Sequence, residues 1–153
     1  MGGRRVSSKA VAPLEDEVRA VNEAFYRAFR ERDLAAMERL WAEEAPIACI
    51  HPGLAPQLGR AEVMRGWRVL LAHPRAPTLV CSQVKVHVLG TAAYVTCLEG
   101  HETQPPRLVA TNVFVLEEGR WRMVHHQAGP LAGGPPPPPS EPPPPDEDPY
   151  RFN

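Results

Sequence analysis

The fold is decided by the sequence LVATNVFVLEEGRWRMVHH, which occupies residues 108–126. Its first part, Leu108 to Leu116, is rich in β-branched and aromatic side chains, and such residues favour a strand. The acidic pair and glycine at 117–119 predict a hairpin turn, and Arg120 to Gln127 predicts the returning strand. This stretch is therefore predicted to form an antiparallel β-hairpin.

Upstream of this hairpin, apolar residues recur at every second position, which is typical of strands. Four valines alternate with other residues here: Val80, Val84, Val86 and Val88 alternate with Cys81, Gln83, Lys85 and His87. Gly90 predicts a turn, and Ala93 to Glu102 predicts the next strand. A short apolar run at Ile47 to Ile50 predicts an early strand that ends at His51-Pro52-Gly53.

The first half of the chain has helical periodicity instead. Apolar residues recur every three or four positions from about Leu14 to Phe29, which predicts an amphipathic helix of about five turns. Asp33 predicts the N-cap of a second helix, and Glu62 to Ala72 predicts a third. Three helices followed by antiparallel strands indicate an α+β domain whose sheet is covered on one face.

Composition excludes several classes of protein. The 153 residues are 43% hydrophobic and carry a net charge of -1, so no basic field attracts nucleic acid. The sequence contains no run of about 18 apolar residues, so no membrane-spanning helix is predicted. Cys49, Cys81 and Cys97 lie far apart among apolar residues, which favours buried thiols in a reducing compartment, interpreted as cytoplasmic, over a disulfide framework or a zinc site.

Three regions are predicted: a disordered segment at 1–12, one folded domain at 13–131 and a disordered proline-rich tail at 132–153. The proline blocks Pro135–Pro139 and Pro142–Pro145 favour a polyproline II conformation. Such a tail docks on a proline-motif-binding partner or serves only as a solvated extension. The nearby acidic residues at 146–148 favour the second interpretation.

Several local strings together resemble the SnoaL-like branch of the nuclear-transport-factor-2-like (NTF2-like) superfamily over residues 14 to 130. These strings are Trp41 with IHPG at 50–53, GR at 59–60 with Trp67, ATNVF at 110–114, and GRWRMVHH at 119–126. The resemblance implies a cone, in which helices wrap a curved antiparallel sheet around an apolar internal pocket. It also implies frequent dimerisation, so a homodimer is expected, but it implies no single reaction.

Histidines are the candidate catalytic residues. His51 ends a strand near the expected pocket mouth, where it serves as a general acid or base or fixes the turn. His125 and His126 are neighbours on one strand, so they are predicted to point to opposite faces. Strand periodicity puts Trp121, Met123 and His125 on one face, and leaves open which histidine faces the pocket.

A small-molecule ligand is expected in the pocket, with no cofactor and no metal. The candidate ligand-binding residues are large aromatic or polar side chains, and core packing is their alternative role: Tyr26, Trp41, Trp67, Asn112 and Phe114. A metal set of His51, one of the paired histidines and Glu99 is a further alternative. The sequence shows no obvious acid–base pair, so three hypotheses stay open. The first is a small-molecule-binding domain with lyase, isomerase or cyclase activity on an apolar or aromatic compound. The second is a non-catalytic dimerising module that recruits partners through its tail, and the third is a metal-dependent enzyme.

Overall fold

The computed structural model describes residues 8–132. Three helices precede or interrupt the strands: α1 is Ser8–Glu31, α2 is Leu34–Leu40 and α3 is Gly59–Ala72. Six strands complete the domain: β1 Ala48–Ile50, β2 Gln57–Leu58, β3 Val80–Leu89, β4 Ala92–Gly100, β5 Leu108–Glu117 and β6 Arg120–Pro130. The predicted proline-rich tail lies outside the described residues, apart from its first position.

The six strands form one curved, unclosed sheet in the order β2-β1-β6-β5-β4-β3. The hairpin predicted from residues 108–126 is confirmed as β5 and β6, and the α+β cone with three helices is confirmed as the fold class. One pairing departs from the antiparallel pattern, because β1 runs parallel to β6. The two-residue strand β2 was not predicted from the sequence.

Helix α1 begins earlier than its amphipathic pattern indicates. Residues 8–12 belong to this helix, so disorder predicted for 1–12 is wrong for these five positions, while residues 1–7 lie outside the described part. The alanines at 10 and 12 have high helix propensity, which favours this extension. Helix α2 begins as predicted, because the side chain of Asp33 accepts a hydrogen bond from the backbone N–H of Ala36 at 2.9 Å.

A β-bulge in β6 changes which residues face the interior. Val113 pairs with His125 and the next residue, Phe114, pairs with Met123, so Val124 is an extra residue without a partner. The side chains therefore change face once within the strand. The predicted grouping of Trp121, Met123 and His125 is wrong, because Trp121 and Met123 share the buried face with His126.

A second irregularity has the same effect in β3. The strand register shifts between Ser82 and Lys85, and Gln83 lies there with a positive φ of 51°. As a result Cys81, opposite Glu99, packs against the core together with Val84, although the predicted alternation separates Cys81 from the valines. The strict alternation predicted for β3 therefore holds only from Val84 onward.

The core fills the space between α1, α3 and the concave face of the sheet. Trp67 of α3 is at its centre and contacts Phe25 and Phe29 edge to face, with ring centroids 5.4 and 5.3 Å apart. Such pairs add specific aromatic contacts to the burial of apolar area. No helix among the described residues is long and apolar enough to cross a membrane.

We predict that Asp33→Ala lowers the free energy of unfolding by about 1 kcal/mol, because α2 loses its only side-chain N-cap. Urea denaturation followed by circular dichroism measures this change. Asp16→Ala is the matched control, because Asp16 is exposed within α1 and caps no helix. A loss of equal size in both variants would contradict the capping role.

Candidate functional site

A pocket of about 770 Å³ opens between α3, the loop after β1, the loop before β3 and the sheet. Its volume suits a small organic ligand. Phe29, Leu70, Leu79 and Leu108 are among the apolar residues of its wall. Three buried polar side chains lie at its inner end: His51 (9% exposed), Glu99 (1%) and His126 (2%).

Glu99 is brought to the pocket by the alternation of β4, in which Ala93, Val95, Cys97 and Glu99 all face the interior. Its Oε1 accepts a hydrogen bond from the Tyr26 hydroxyl at 2.7 Å. Burial raises the pKa of the Glu99 carboxyl to about 7, although the Tyr26 hydrogen bond opposes this rise. Glu99 is therefore protonated in a large fraction of molecules near neutral pH.

Tyr26 holds its proton and acts as a fixed donor. Burial, and after it the charge of Glu99, raises the pKa of the Tyr26 hydroxyl far above its ordinary value. The Tyr26 oxygen accepts a hydrogen bond from Nδ2 of Asn112 at 3.1 Å, and Cys97 Sγ lies 3.2 Å away. The hydroxyl is thus oriented toward Glu99 by its other partners.

The tautomer of His126 follows from the same hydrogen bonds. Asn112 Nδ2 donates to Asn22 and to Tyr26, so Asn112 Oδ1 is the acceptor that faces His126 Nδ1 at 2.6 Å. The proton of the neutral imidazole therefore sits on Nδ1 and leaves Nε2 as a base. Burial, reinforced by the neighbouring histidines, lowers the pKa of His126 to about 3, so the ring is neutral.

His51 directly follows β1 and lines the pocket at the Pro52-Gly53 bend. Its ring packs edge to face on Trp67, and its Nε2 lies 3.5 Å from Cys49 Sγ. Burial lowers the pKa of His51 to about 4, so this imidazole is also neutral. Burial raises the pKa of the Cys49 thiol, with the Glu99 charge as a second cause, which argues against Cys49 as a thiolate nucleophile.

The three polar groups lie close enough to act on one ligand. His126 Nε2 is 3.9 Å from Glu99 Oε1, and the rings of His51 and His126 are 6.1 Å apart. Because His126 is neutral, the 3.9 Å contact is not an ion pair at neutral pH. The arrangement offers a carboxyl group that titrates near pH 7 beside two uncharged imidazoles in an apolar cavity, which suits proton transfer.

The structure brings together some of the residues predicted for the site and separates others. His51 and His126 both line the pocket, whereas His125 lies half-buried on the outer face of the sheet. The five predicted ligand-binding residues are fully buried and are not part of the pocket wall: Tyr26, Trp41, Trp67, Asn112 and Phe114. Tyr26 and Asn112 act instead through hydrogen bonds to Glu99 and His126.

Glu99 is the pocket residue that sequence reasoning missed as an acid or base. The signal was present, because Glu99 continues the alternation of Val95 and Cys97 on an otherwise apolar strand face. A carboxylate at such a position is rarely buried without a function or a partner. Within residues 8–132, no three His, Cys, Asp or Glu side chains are grouped to hold a metal ion, so the proposed set of His51, a paired histidine and Glu99 does not form.

Comparison with known protein families identifies the family of this domain. Residues 18–132 match the model of the SnoaL-like domain. The chain belongs to the SnoaL-like family. This SnoaL-like domain has the NTF2-like fold.

Three proteins with different assigned descriptions are similar to this SnoaL-like domain. A proposed dehydratase of the NTF2-like family from Streptomyces avermitilis is 29% identical, with a TM-score of 0.70, and the match covers 80% of this chain and 99% of that one. A proposed calcium/calmodulin-dependent protein kinase type II association domain from Thiobacillus denitrificans is 36% identical, with a TM-score of 0.62, over 74% and 94% of the two chains. F-box protein SKIP8 of Arabidopsis thaliana is 31% identical over 112 residues, which are 73% of this chain and 48% of the relative. The chain thus spans about half the length of this curated relative.

We predict that Glu99→Gln becomes more stable relative to the wild type as the pH rises. The folded state raises the pKa of Glu99 from 4.5 to about 7, so it binds the proton more tightly than the unfolded state does. The stability from this group is present below about pH 4.5 and is lost as the pH rises through about 7. Gln does not titrate, so the difference in unfolding free energy should shift by about 3 kcal/mol in favour of the variant between about pH 4 and pH 8.

Urea denaturation at several pH values measures this difference, and the two neutral histidines cancel because both proteins contain them. Glu102→Gln is the matched control, since Glu102 is exposed in the turn after β4. A Glu99→Gln difference that stays constant across this pH range would show that the folded state does not raise the pKa of Glu99.

Gly66 provides a second prediction about the pocket wall. A Cβ at this position would lie 2.3 to 2.6 Å from the amide end of the Gln57 side chain, which lines the pocket. We predict that Gly66→Ala displaces this flexible amide without lowering the melting temperature, because Ala is favoured over Gly in a helix by about 1 kcal/mol. Thermal unfolding measures this, and a lower melting temperature would mean that the Gln57 amide is rigidly held.

Proposed function

We propose that this domain binds an apolar or aromatic small molecule and catalyses proton transfer on it, with Glu99 as the general acid and base. The observation that carries the proposal is the buried carboxyl of Glu99 in the pocket, fixed through Oε1 by Tyr26. No hydrogen bond from the described residues reaches Oε2 of Glu99. This oxygen is therefore available to a ligand, and a pKa near 7 suits it to both directions of proton transfer.

The reaction class follows from these groups. A proton passes from a carbon next to a carbonyl group to Oε2 of Glu99, and the electron pair of the broken C–H bond moves onto the carbonyl oxygen. Return of the proton to another carbon gives isomerisation. Departure of a β-hydroxyl group, which leaves as water with a proton from the site, gives dehydration. A lyase or isomerase activity requires no group beyond those in the pocket.

The two imidazoles have different parts in this proposal. His126 presents the unprotonated Nε2, which lies 3.9 Å from Glu99 Oε1 and is not hydrogen-bonded to it, so Nε2 accepts a hydrogen bond from the substrate. The ring of His51 lies 6.1 Å from that of His126 and is neutral, so it exchanges a hydrogen bond with the leaving group. The similarity to a proposed dehydratase over 99% of that chain supports this class of chemistry.

We predict that the protein accelerates deuterium incorporation at C1 of 2-tetralone in D₂O. This aromatic ketone is apolar, fits the size of the cavity, and has an acidic C–H group beside its carbonyl. Glu99→Gln should reduce the catalysed rate by at least about 100-fold, since general acid–base catalysis contributes about 10² to 10⁴. Proton NMR follows the loss of the C1 signal, and the wild-type rate should rise with pH to a plateau with a midpoint near 7.

Glu102→Gln controls for the loss of one carboxylate outside the pocket and should retain the wild-type rate. Serum albumin at equal concentration controls for adsorption of the ketone to apolar protein surface. If wild type and Glu99→Gln exchange the protons at the same rate, Glu99 is not the base, and the catalytic proposal fails.

The second candidate function is a dimerising interaction module, which the 36% identity to a proposed association domain favours. We propose that a homodimer forms through the outer face of the sheet, which carries the half-buried side chains of Tyr94, Leu98 and Val113 and the exposed Val109. Light scattering measures the mass. A dimer that shows no proton exchange at C1 of 2-tetralone would favour the module, with its proline-rich tail as the recruiting segment.

A further inference from the structure

We propose that Arg65 and Arg75 at the mouth of the pocket bind an acidic group of the ligand, so that the ligands are apolar or aromatic organic acids. The inference rests on the proposed binding function of the pocket and specifies its ligand class. Both arginines line the pocket and are exposed, whereas Glu99 and His126 at the other end are buried. The pocket therefore has a cationic opening and a proton-transferring inner end.

Arg65 differs from the other arginines of α3. Arg60 donates to the carbonyl oxygens of Glu38, Trp41 and Ala42, and Arg68 lies 3.6 Å from the carboxylate of Glu38. Among residues 8–132, no side chain forms an ion pair or a hydrogen bond with the guanidinium group of Arg65. The arginine of α3 that faces the pocket is thus the one without a partner among the described residues.

Arg75 lies on a loop that is held in place over the opening. The guanidinium group of Arg32 donates to the carbonyl oxygens of His73 and Pro74 at 3.0 and 3.3 Å. The backbone N–H of Arg75 donates to Nδ1 of His73 at 3.1 Å, and that of Ala76 donates to His73 O at 3.0 Å. The backbone is fastened on both sides of Arg75, while its side chain contacts no acidic group in the described part of the chain.

Among residues 8–132, neither arginine forms an ion pair with the exposed acidic residue of the pocket wall. Glu62 also lines the pocket, but its Oε2 accepts a hydrogen bond from the backbone N–H of Leu58 at 2.9 Å. Glu62 is thus hydrogen-bonded to the backbone, and both guanidinium groups at the opening are without an ion pair among residues 8–132. A carboxylate on the ligand would form charge-assisted hydrogen bonds with guanidinium groups, whose planar geometry matches it.

Apolar side chains share this opening. Leu54 and Val69 line the pocket and are 60% and 66% exposed. They flank the arginines and provide contact area for the apolar body of a ligand. The mouth therefore combines charge recognition with apolar burial, and the ligand's reacting carbon extends inward toward Glu99.

The test compares two probes of nearly equal shape, 2-naphthylacetate and its neutral amide, 2-naphthylacetamide. Isothermal titration calorimetry with the full-length chain should show that the acid binds at least about tenfold more tightly than the amide. Arg65→Gln and Arg75→Gln should each reduce this preference, and the double variant should abolish it without changing the affinity for the amide. Raising the salt concentration should weaken binding of the acid alone.

Arg68→Gln is the matched control, because it removes one arginine of the same helix that is paired with Glu38. This variant should keep the full preference for the acid. Equal affinity for the two probes, or binding of neither, overturns the inference, and so does an acid preference that the double variant retains.

Proton exchange of neutral 2-tetralone separates this inference from the proposed reaction. This ketone has no acidic group for the arginines to bind, so its exchange by the wild-type protein reports on Glu99 and not on the arginines. Exchange without an acid preference removes the ligand class and leaves the reaction. An acid preference without exchange removes the reaction and leaves the binding of organic acids.

Discussion

The structure depends on one buried chain of hydrogen bonds that links helix α1 to the three central strands. His126 Nδ1 donates to Asn112, Asn112 donates to Tyr26, and Tyr26 donates to Glu99. Every group in this chain is at most 2% exposed, so a missing partner would leave a polar atom buried without compensation. This series of hydrogen bonds holds α1 against the sheet and also fixes the direction in which each donor group points.

The distinction between core and pocket follows from this arrangement. Trp41, Trp67 and Phe114 are large enough to fill the cone, yet they are buried in the core and do not line the cavity. The apolar layer keeps water from the inner end, which is why burial dominates the shifts in the pKa values of Glu99 and His126. Core packing and the proposed proton transfer therefore depend on the same buried interior.

The sequence predicted the helices, the four long strands and the closing hairpin, because their periodicities of 3.6 and 2 are local properties. It did not predict which of the two adjacent histidines faces inward. That depends on the bulge at Val124, which arises because Val113 of the neighbouring strand pairs with His125 and Phe114 pairs with Met123. The role of Glu99 was missed for a similar reason, since its partner Tyr26 is 73 residues away in the chain. Long-range contacts of this kind leave no spacing that a single sequence reveals.

The bulge at Val124 has a consequence for comparing relatives of this protein. His125 and His126 are adjacent, so shifting an alignment gap by a single position exchanges the histidine of the outer face for the one in the pocket. In a relative with a single histidine in this strand, the residues next to it in the sequence do not show whether it corresponds to His125 or to His126. The strand pairing assigns it, because the equivalent of His126 is the residue opposite the asparagine at position 112. Equivalent residues at this site are therefore identified by strand pairing and not by sequence alignment alone.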